Sequence, residues 1–311
     1  MKTNLLILVL LLSLSACFKS ETEQAVNTQQ EPETELKTVF VNGDSLHYLD
    51  IGEGEPIVFV HGGIGDYRSW MGQLDTFSTN YQIIAYSRRY AYPNRQDYPD
   101  SPDVTGDLHA DDLVELIKKL DLAPVHLVGH SYGALTSFLA TLKEPELVRS
   151  LTLGEPPVMH MLDYDPSGES IRTQIVQKAF EPSAEAFRNG EDERALALFL
   201  GGVLNDTIIM SEIPGEVKQE WMENLMELKW QMLNTNWSSP VDSTDVQGME
   251  LPVLLVAGDR SPEFLIAIQQ QLDRFLPNSE YTTLTNSTHG LHHNNPEQFN
   301  QEVLEFISKH E

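Results

Sequence analysis

Short strand-like runs alternating with stretches of helical period constrain this chain more than any single motif does. Glu55 to Val60, Gln82 to Tyr86, Val125 to Val128, Ser150 to Leu153, Val253 to Ala257 and Tyr281 to Leu284 read as strands, several of them apolar on both faces. Runs of that kind belong in the middle of a parallel sheet, where both faces are covered. Between them, Asp107 to Leu120 places Leu108, Leu113, Leu116, Ile117 and Leu120 on one helical face, and Ala134 to Lys143 and Glu297 to Ser308 are similar. Strand, helix, strand repetition predicts an α/β fold, a mostly parallel sheet with helices on both sides. The earliest runs, Thr38 to Val41 and Leu46 to Ile51, are split by Asn42-Gly43, a hairpin signal that predicts an antiparallel edge.

The alternation stops between about Pro156 and Gly248. Helical patterns follow one another there without strands, at Ser170 to Phe180, Glu191 to Leu200 and Glu216 to Leu233. The expectation is a helical cap over 157–248 inserted into a sheet domain formed by 37–156 and 249–311. Trp221, Trp230, Trp237, Met222, Met226 and Met232 are expected mainly to pack cap helices together, a minority of them facing a pocket.

The front of the chain reads differently. Met1 to Asn4 holds one lysine, Leu5 to Leu14 is almost wholly apolar, and Leu14-Ser15-Ala16-Cys17 offers small residues at a cleavage point, the pattern of a secretory signal over 1–16. An apolar run of about ten residues is short for a bilayer of roughly 30 Å. Leu-Ser-Ala-Cys resembles the lipobox of bacterial lipoproteins, which implies a lipid on Cys17, the sole cysteine, and therefore a membrane anchor. Phe18, where that resemblance would place aspartate for inner-membrane retention, implies the outer membrane if the cell envelope is Gram-negative. Residues 17–36 are mostly Glu, Thr, Gln and Asn, too polar to offset their ordering entropy, and read as a tether.

Twenty Lys+Arg against 47 Asp+Glu give a formal charge of -27, which repels nucleic acid and anionic surfaces. The carboxylates are scattered and form no metal-ligand run, so neither a metal nor a cofactor is expected.

Within this frame Gly129-His130-Ser131-Tyr132-Gly133 gains meaning. G-x-S-x-G alone arises by chance in roughly one chain in ten of this length, but here a strand precedes it and a helical stretch follows. That context exposes a serine at the carboxyl edge of a sheet, with small glycines letting the helix pass close behind. The turn aims the Tyr132 N–H at the oxygen that becomes negative in acyl transfer. A second donor, Gly63 N–H, is offered by His61-Gly62-Gly63 at the end of the run Ile57 to Val60. A serine needs a base within hydrogen-bond reach. Of His289, His292 and His293, His289 comes soonest after the last strand and is the candidate. His47, His109, His126, His130 and His160 are expected to be structural or to lie on the surface.

Together these motifs resemble the α/β-hydrolase superfamily from about Val39 to the carboxyl end. The resemblance implies the chain order nucleophile, acid, histidine. It departs from the family after Tyr86, where relatives carry Asp-x-Arg-Gly and this chain has Ser87-Arg88-Arg89-Tyr90. Arg88 and Arg89 are expected to pair with surface acids, a substrate carboxylate being the alternative. In most relatives the acid lies three residues after a glycine ending the next-to-last strand, which here is Ser261; Asp259 is two residues too early. Other relatives, haloalkane dehalogenases among them, place it after the strand that follows the nucleophile helix, where Glu155 precedes Pro156-Pro157. Glu155 is the candidate acid and Asp259 the alternative.

The expected activity is serine hydrolysis of a small-molecule ester through an acyl-enzyme. The alternatives are an aminopeptidase like proline iminopeptidase, which shares His-Gly-Gly but continues with Pro-Gly rather than Ile64-Gly65, and a non-catalytic envelope binding protein on the same scaffold.

Overall fold

The computed structural model describes residues 35–94, 98–234 and 238–311. The signal segment, Cys17 and Trp237 lie outside them. Eight strands form one sheet: β1 (Lys37–Val41), β2 (Asp44–Ile51), β3 (Glu55–Val60), β4 (Tyr81–Tyr86), β5 (Val125–His130), β6 (Val148–Gly154), β7 (Val253–Gly258) and β8 (Ser279–Leu284). Their spatial order is β1-β2-β4-β3-β5-β6-β7-β8. β1 and β2 form the expected hairpin, β2 pairs antiparallel with β4, and every other pairing is parallel. Asn42 (φ 44°) and Gly43 (φ 88°) make the turn with the positive φ values that such a tight connection needs.

Adjacent residues of each central strand feed two separate apolar layers. Val58, Val60, Leu127, Leu151 and Leu255 pack on one side with Leu113, Leu116, Leu135 and Phe138. Ile57, Phe59, Val128, Leu254 and Val256 pack on the other with Trp70, Phe77, Phe299 and Phe306. This is why those runs show no polar alternation. Leu36, at the end of the expected tether, packs against the second layer.

The helix Gly106–Lys119 begins at Thr105, whose side chain accepts the Leu108 N–H, a standard amino-terminal cap. Its buried face is rotated from the expected one: Leu108 and Leu120 are only half-buried, while His109 and Asp112 are buried with Leu113, Leu116 and Ile117. Ion pairs described below account for this, since an apolar pattern does not register a buried charge that has a partner.

Between β6 and β7 the regular structure of the described residues is helical, with no strand. The run expected as one helix over 216–233 is two, Gly215–Glu223 and Leu225–Leu233, interrupted at Asn224. The Asn224 side chain donates to the Glu220 carbonyl and to the Asp66 carboxylate, 2.9 and 2.8 Å away, competing with the helix in the usual manner of asparagine. Likewise the stretch over 170–180 is α-helical for Gly168–Ile175 and continues as a π-turn over Val176–Phe180. Among the described residues no helix is long and apolar enough to cross a membrane.

Candidate active site

A parallel sheet brings the carboxyl ends of its strands to one edge, and the loops leaving that edge build the site. β5 ends at His130, and the next residue, Ser131, sits at φ 53°, ψ -122° before the helix Tyr132–Lys143 starts. The turn is held by Ser131 N–H donating to the Gly154 carbonyl at 2.7 Å and by Leu135 N–H closing onto Ser131 O at 3.0 Å. The two glycines are sterically required. A Cβ on Gly129 would lie 2.6 Å from Ala134 Cα, and one on Gly133 would lie 2.1 Å from the Val60 carbonyl oxygen.

Ser131 Oγ–H donates to His289 Nε2 at 2.8 Å. His289 Nδ1–H donates to Glu155 Oε2 at 2.6 Å, and the other Glu155 oxygen accepts the Gly258 N–H at 2.9 Å. Glu155 is fully buried just past β6. Ser131, Glu155 (φ 50°) and Ile64 (φ 54°) all carry positive φ. Such backbone strain costs on the order of 1–3 kcal/mol per residue and persists where the surroundings over-determine it.

The alternative acid is placed elsewhere. Asp259 is exposed, and its carboxylate accepts the Asn286 and Ser287 N–H groups, each at 3.0 Å. Those bonds hold its carboxyl below the usual aspartate range and shape the β8–His289 loop. Ser261 has no hydrogen-bond partner for its buried hydroxyl. His292 stacks on Trp70, ring centroids 4.3 Å apart, and its carbonyl accepts from Gln73 Nε2 at 3.1 Å. His130 Nε2–H donates to the His289 carbonyl at 2.7 Å, and burial pushes the His130 ring well below the ordinary histidine range.

The loop after β3 carries Gly62 and Gly63. Gly62 abuts the elbow so closely that a Cβ there would lie 3.2 Å from Ser131 Cβ, and Gly63 lines the same cavity as Ser131 and Tyr132. His61 is a neutral strut: its Nδ1–H donates to the Gly62 carbonyl at 2.8 Å and its Nε2 accepts the Arg88 N–H at 2.9 Å. Burial, reinforced by the Arg88 charge, pushes its ring well below the ordinary range.

Arg88 and Arg89 depart from the surface pairing expected of them. Arg88, buried directly after β4, pairs with the buried Glu227 of the helix Leu225–Leu233 at 2.7 Å. The same guanidinium donates to the His61 and Gly62 carbonyls at 3.3 and 3.0 Å. His109 Nε2 lies 2.6 Å from Glu227. Burial would raise the Glu227 carboxyl, but Arg88 and His109 outweigh it and hold it far below the usual range. Arg89 joins the buried Asp112 at 2.6 Å and Asp44 of β2.

Ser131 and His289 face a cavity of about 180 Å³ walled mainly by Phe180, Phe199, Leu200, Trp221, Met232 and Phe264. Of the cap tryptophans and methionines among the described residues, Trp221 and Met232 line the pocket. Among the described residues Glu220 is the only carboxylate lining it. Burial, with Asp66 nearby, raises the Glu220 carboxyl. Among the described residues no group of three or more His, Cys, Asp or Glu is placed to hold a metal.

Residues 57–302 match the family model described as the alpha/beta hydrolase family. The chain is 24% identical over 274 residues to the (E)-2-((N-methylformamido)methylene)succinate hydrolase of Acinetobacter baylyi, covering 86% of this chain and 95% of that protein. It is 24% identical over 261 residues to the sn-1-specific diacylglycerol lipase ABHD11 of Mus musculus, covering 81% and 80%. Among solved structures, the bromoperoxidase from Bacillus anthracis superposes with a TM-score of 0.71 at 21% identity, covering 88% of this chain and all of that one.

Proposed function

We propose the chemistry from one premise: the chain belongs to the alpha/beta hydrolase family, and its reaction is acyl transfer from a small carboxylic ester to water. The observation that carries this reading is the unbroken hydrogen-bond relay from Ser131 through His289 to Glu155. His289 takes the Ser131 proton as Oγ attacks the ester carbonyl. Glu155 holds the ring in the Nδ1–H tautomer and stabilises the imidazolium. The oxyanion is received by the Gly63 and Tyr132 N–H groups. His289 then protonates the departing alcohol, and water, activated by the same ring, releases the acid. The apolar walls favour a hydrocarbon acyl or alcohol group.

Labelling with a fluorophosphonate, followed by turnover of a panel of acyl esters, tests the proposal. Modification of Ser131 with ester turnover supports it. A folded protein that leaves Ser131 unlabelled sinks it in favour of a binding protein on a hydrolase scaffold. One observation favours a second reading: Glu220 in the cavity wall would receive a substrate amine, as in an aminopeptidase. Aminoacyl-proline amides in the same panel separate the two.

For location, we propose an envelope protein anchored through a lipid on Cys17, probed by feeding labelled fatty acid. The support is Leu14-Ser15-Ala16-Cys17 after an apolar run, and Phe18 favours the outer membrane. A secreted, unlabelled product would overturn it.

A further inference from the structure

Glu227 belongs to the cap and Arg88 to the sheet domain, yet their ion pair is buried against the loop that carries Gly63. Arg88 grips that loop at three points: its backbone N–H on His61 Nε2 at 2.9 Å, Nε on the His61 carbonyl at 3.3 Å and Nη2 on the Gly62 carbonyl at 3.0 Å. Its guanidinium also lies over the Tyr132 ring, 4.9 Å from the centroid, so one side chain touches both strands of chain assigned to the oxyanion. Glu227 holds the other side of the fork, Oε1 on Nη1 and Oε2 on Nη2, each at 2.7 Å. Arg88 and Glu227 are 1% and 3% exposed, so water cannot replace the carboxylate without the cap moving. A guanidinium whose fork is fixed by a carboxylate presents its other donors in a fixed plane.

We propose that Arg88 is a positioning residue for the oxyanion loop and that Glu227 makes its geometry conditional on cap docking, so the hole is formed only when the helix Leu225–Leu233 is seated. This rests on the acyl-enzyme reading above. With the cap displaced, Arg88 swings toward solvent, the His61 carbonyl loses the Nε donor, the Gly62 carbonyl keeps only His61 Nδ1–H, and the Gly63 N–H loses its aim. Substrate affinity, set mainly by the apolar walls, changes less than the chemical step.

The test compares kcat and KM for one acyl ester, and the fluorophosphonate labelling rate of Ser131, in the full-length protein and four variants. Glu227→Gln is expected to lower kcat and labelling by about 100-fold, the loss associated with misplacing a reacting group by about 1 Å, with KM within about threefold. Glu227→Asp should restore kcat to within about tenfold. Arg88→Lys, which keeps the charge but loses the fork, should behave as Glu227→Gln and stands in for it if that variant does not fold. Asn224→Ala removes the neighbouring cap contact to Asp66 without touching the loop and should hold kcat within about threefold. The proposal fails if folded Glu227→Gln or Arg88→Lys keeps kcat within threefold of wild type, or if Asn224→Ala loses as much as they do. It fails separately from the function: a wild-type protein that labels at Ser131 upholds the hydrolase reading whatever the variants do.

Discussion

Glu155 and His289, 134 residues apart in sequence, meet with Oε2 2.6 Å from Nδ1, while Asp259 spends both carboxylate oxygens on the backbone of the loop that delivers the histidine. One acid orients the ring and the other shapes its support. Glu155→Gln should therefore lower kcat by about 10³–10⁴-fold, the cost of losing the correct tautomer, whereas Asp259→Asn should cost less than about tenfold. Ester turnover in the two variants decides; equal losses would contradict this division.

Gly133 and Gly63 differ in the room around them. A Cβ on Gly133 would meet Val60 and His61 backbone oxygens at 2.1 and 2.3 Å, but nothing lies within 4 Å of one on Gly63. Gly133→Ala is expected to lose about 3 kcal/mol or more of stability, and Gly63→Ala to stay within about 0.5 kcal/mol of wild type. Denaturant midpoints measure both.

The buried Glu227 links stability to pH. Its folded-state carboxyl is depressed by Arg88 and His109 despite burial, so its contribution is complete above the unfolded glutamate value of about 4.3 and is lost as pH falls below it toward the folded value. Truncating one partner of a buried pair costs about 3–5 kcal/mol. The stability gap between wild type and Glu227→Gln should be flat above about pH 5 and should narrow on acidification below about pH 4. A gap that widens toward acid would refute the assignment.

The cavity walls predict acyl-chain selectivity. Each added methylene that is buried contributes about 0.8 kcal/mol, close to fourfold in kcat/KM, until the space is full. Val203 lines the cavity, and Val203→Phe should depress turnover of the longer esters while sparing the acetyl ester. A flat chain-length profile would show that the acyl group binds elsewhere.

What could be read along the chain depended on whether the determinant was local. The strands around Phe59, Leu127 and Leu255 announce themselves because both faces are buried, and Ser131 and His289 because each follows a strand by a fixed short turn. Glu155 and Asp259 both leave that same sheet edge, so family register could favour Glu155, but only the fold shows which one meets His289 Nδ1 and which one binds the loop backbone. Arg88 and Glu227 are 139 residues apart, and no periodicity links them. The same pair hid the buried face of His109, since a charged surface and a satisfied buried charge look alike in sequence. The break at Asn224 was hidden for a related reason: the Asp66 carboxylate that draws its side chain away lies 158 residues earlier.

The order in which the relay residues occur has a temporal meaning. Ser131 and Glu155 are synthesised before the cap, but His289 follows β8 and is the last of the three relay residues. On the proposed chemistry, a growing chain whose earlier strands have begun to pair carries the nucleophile without its base. That chemistry predicts that Ser131 labelling switches on only when the last strand joins the sheet, which would make it a reporter of completed chains in a translation reaction.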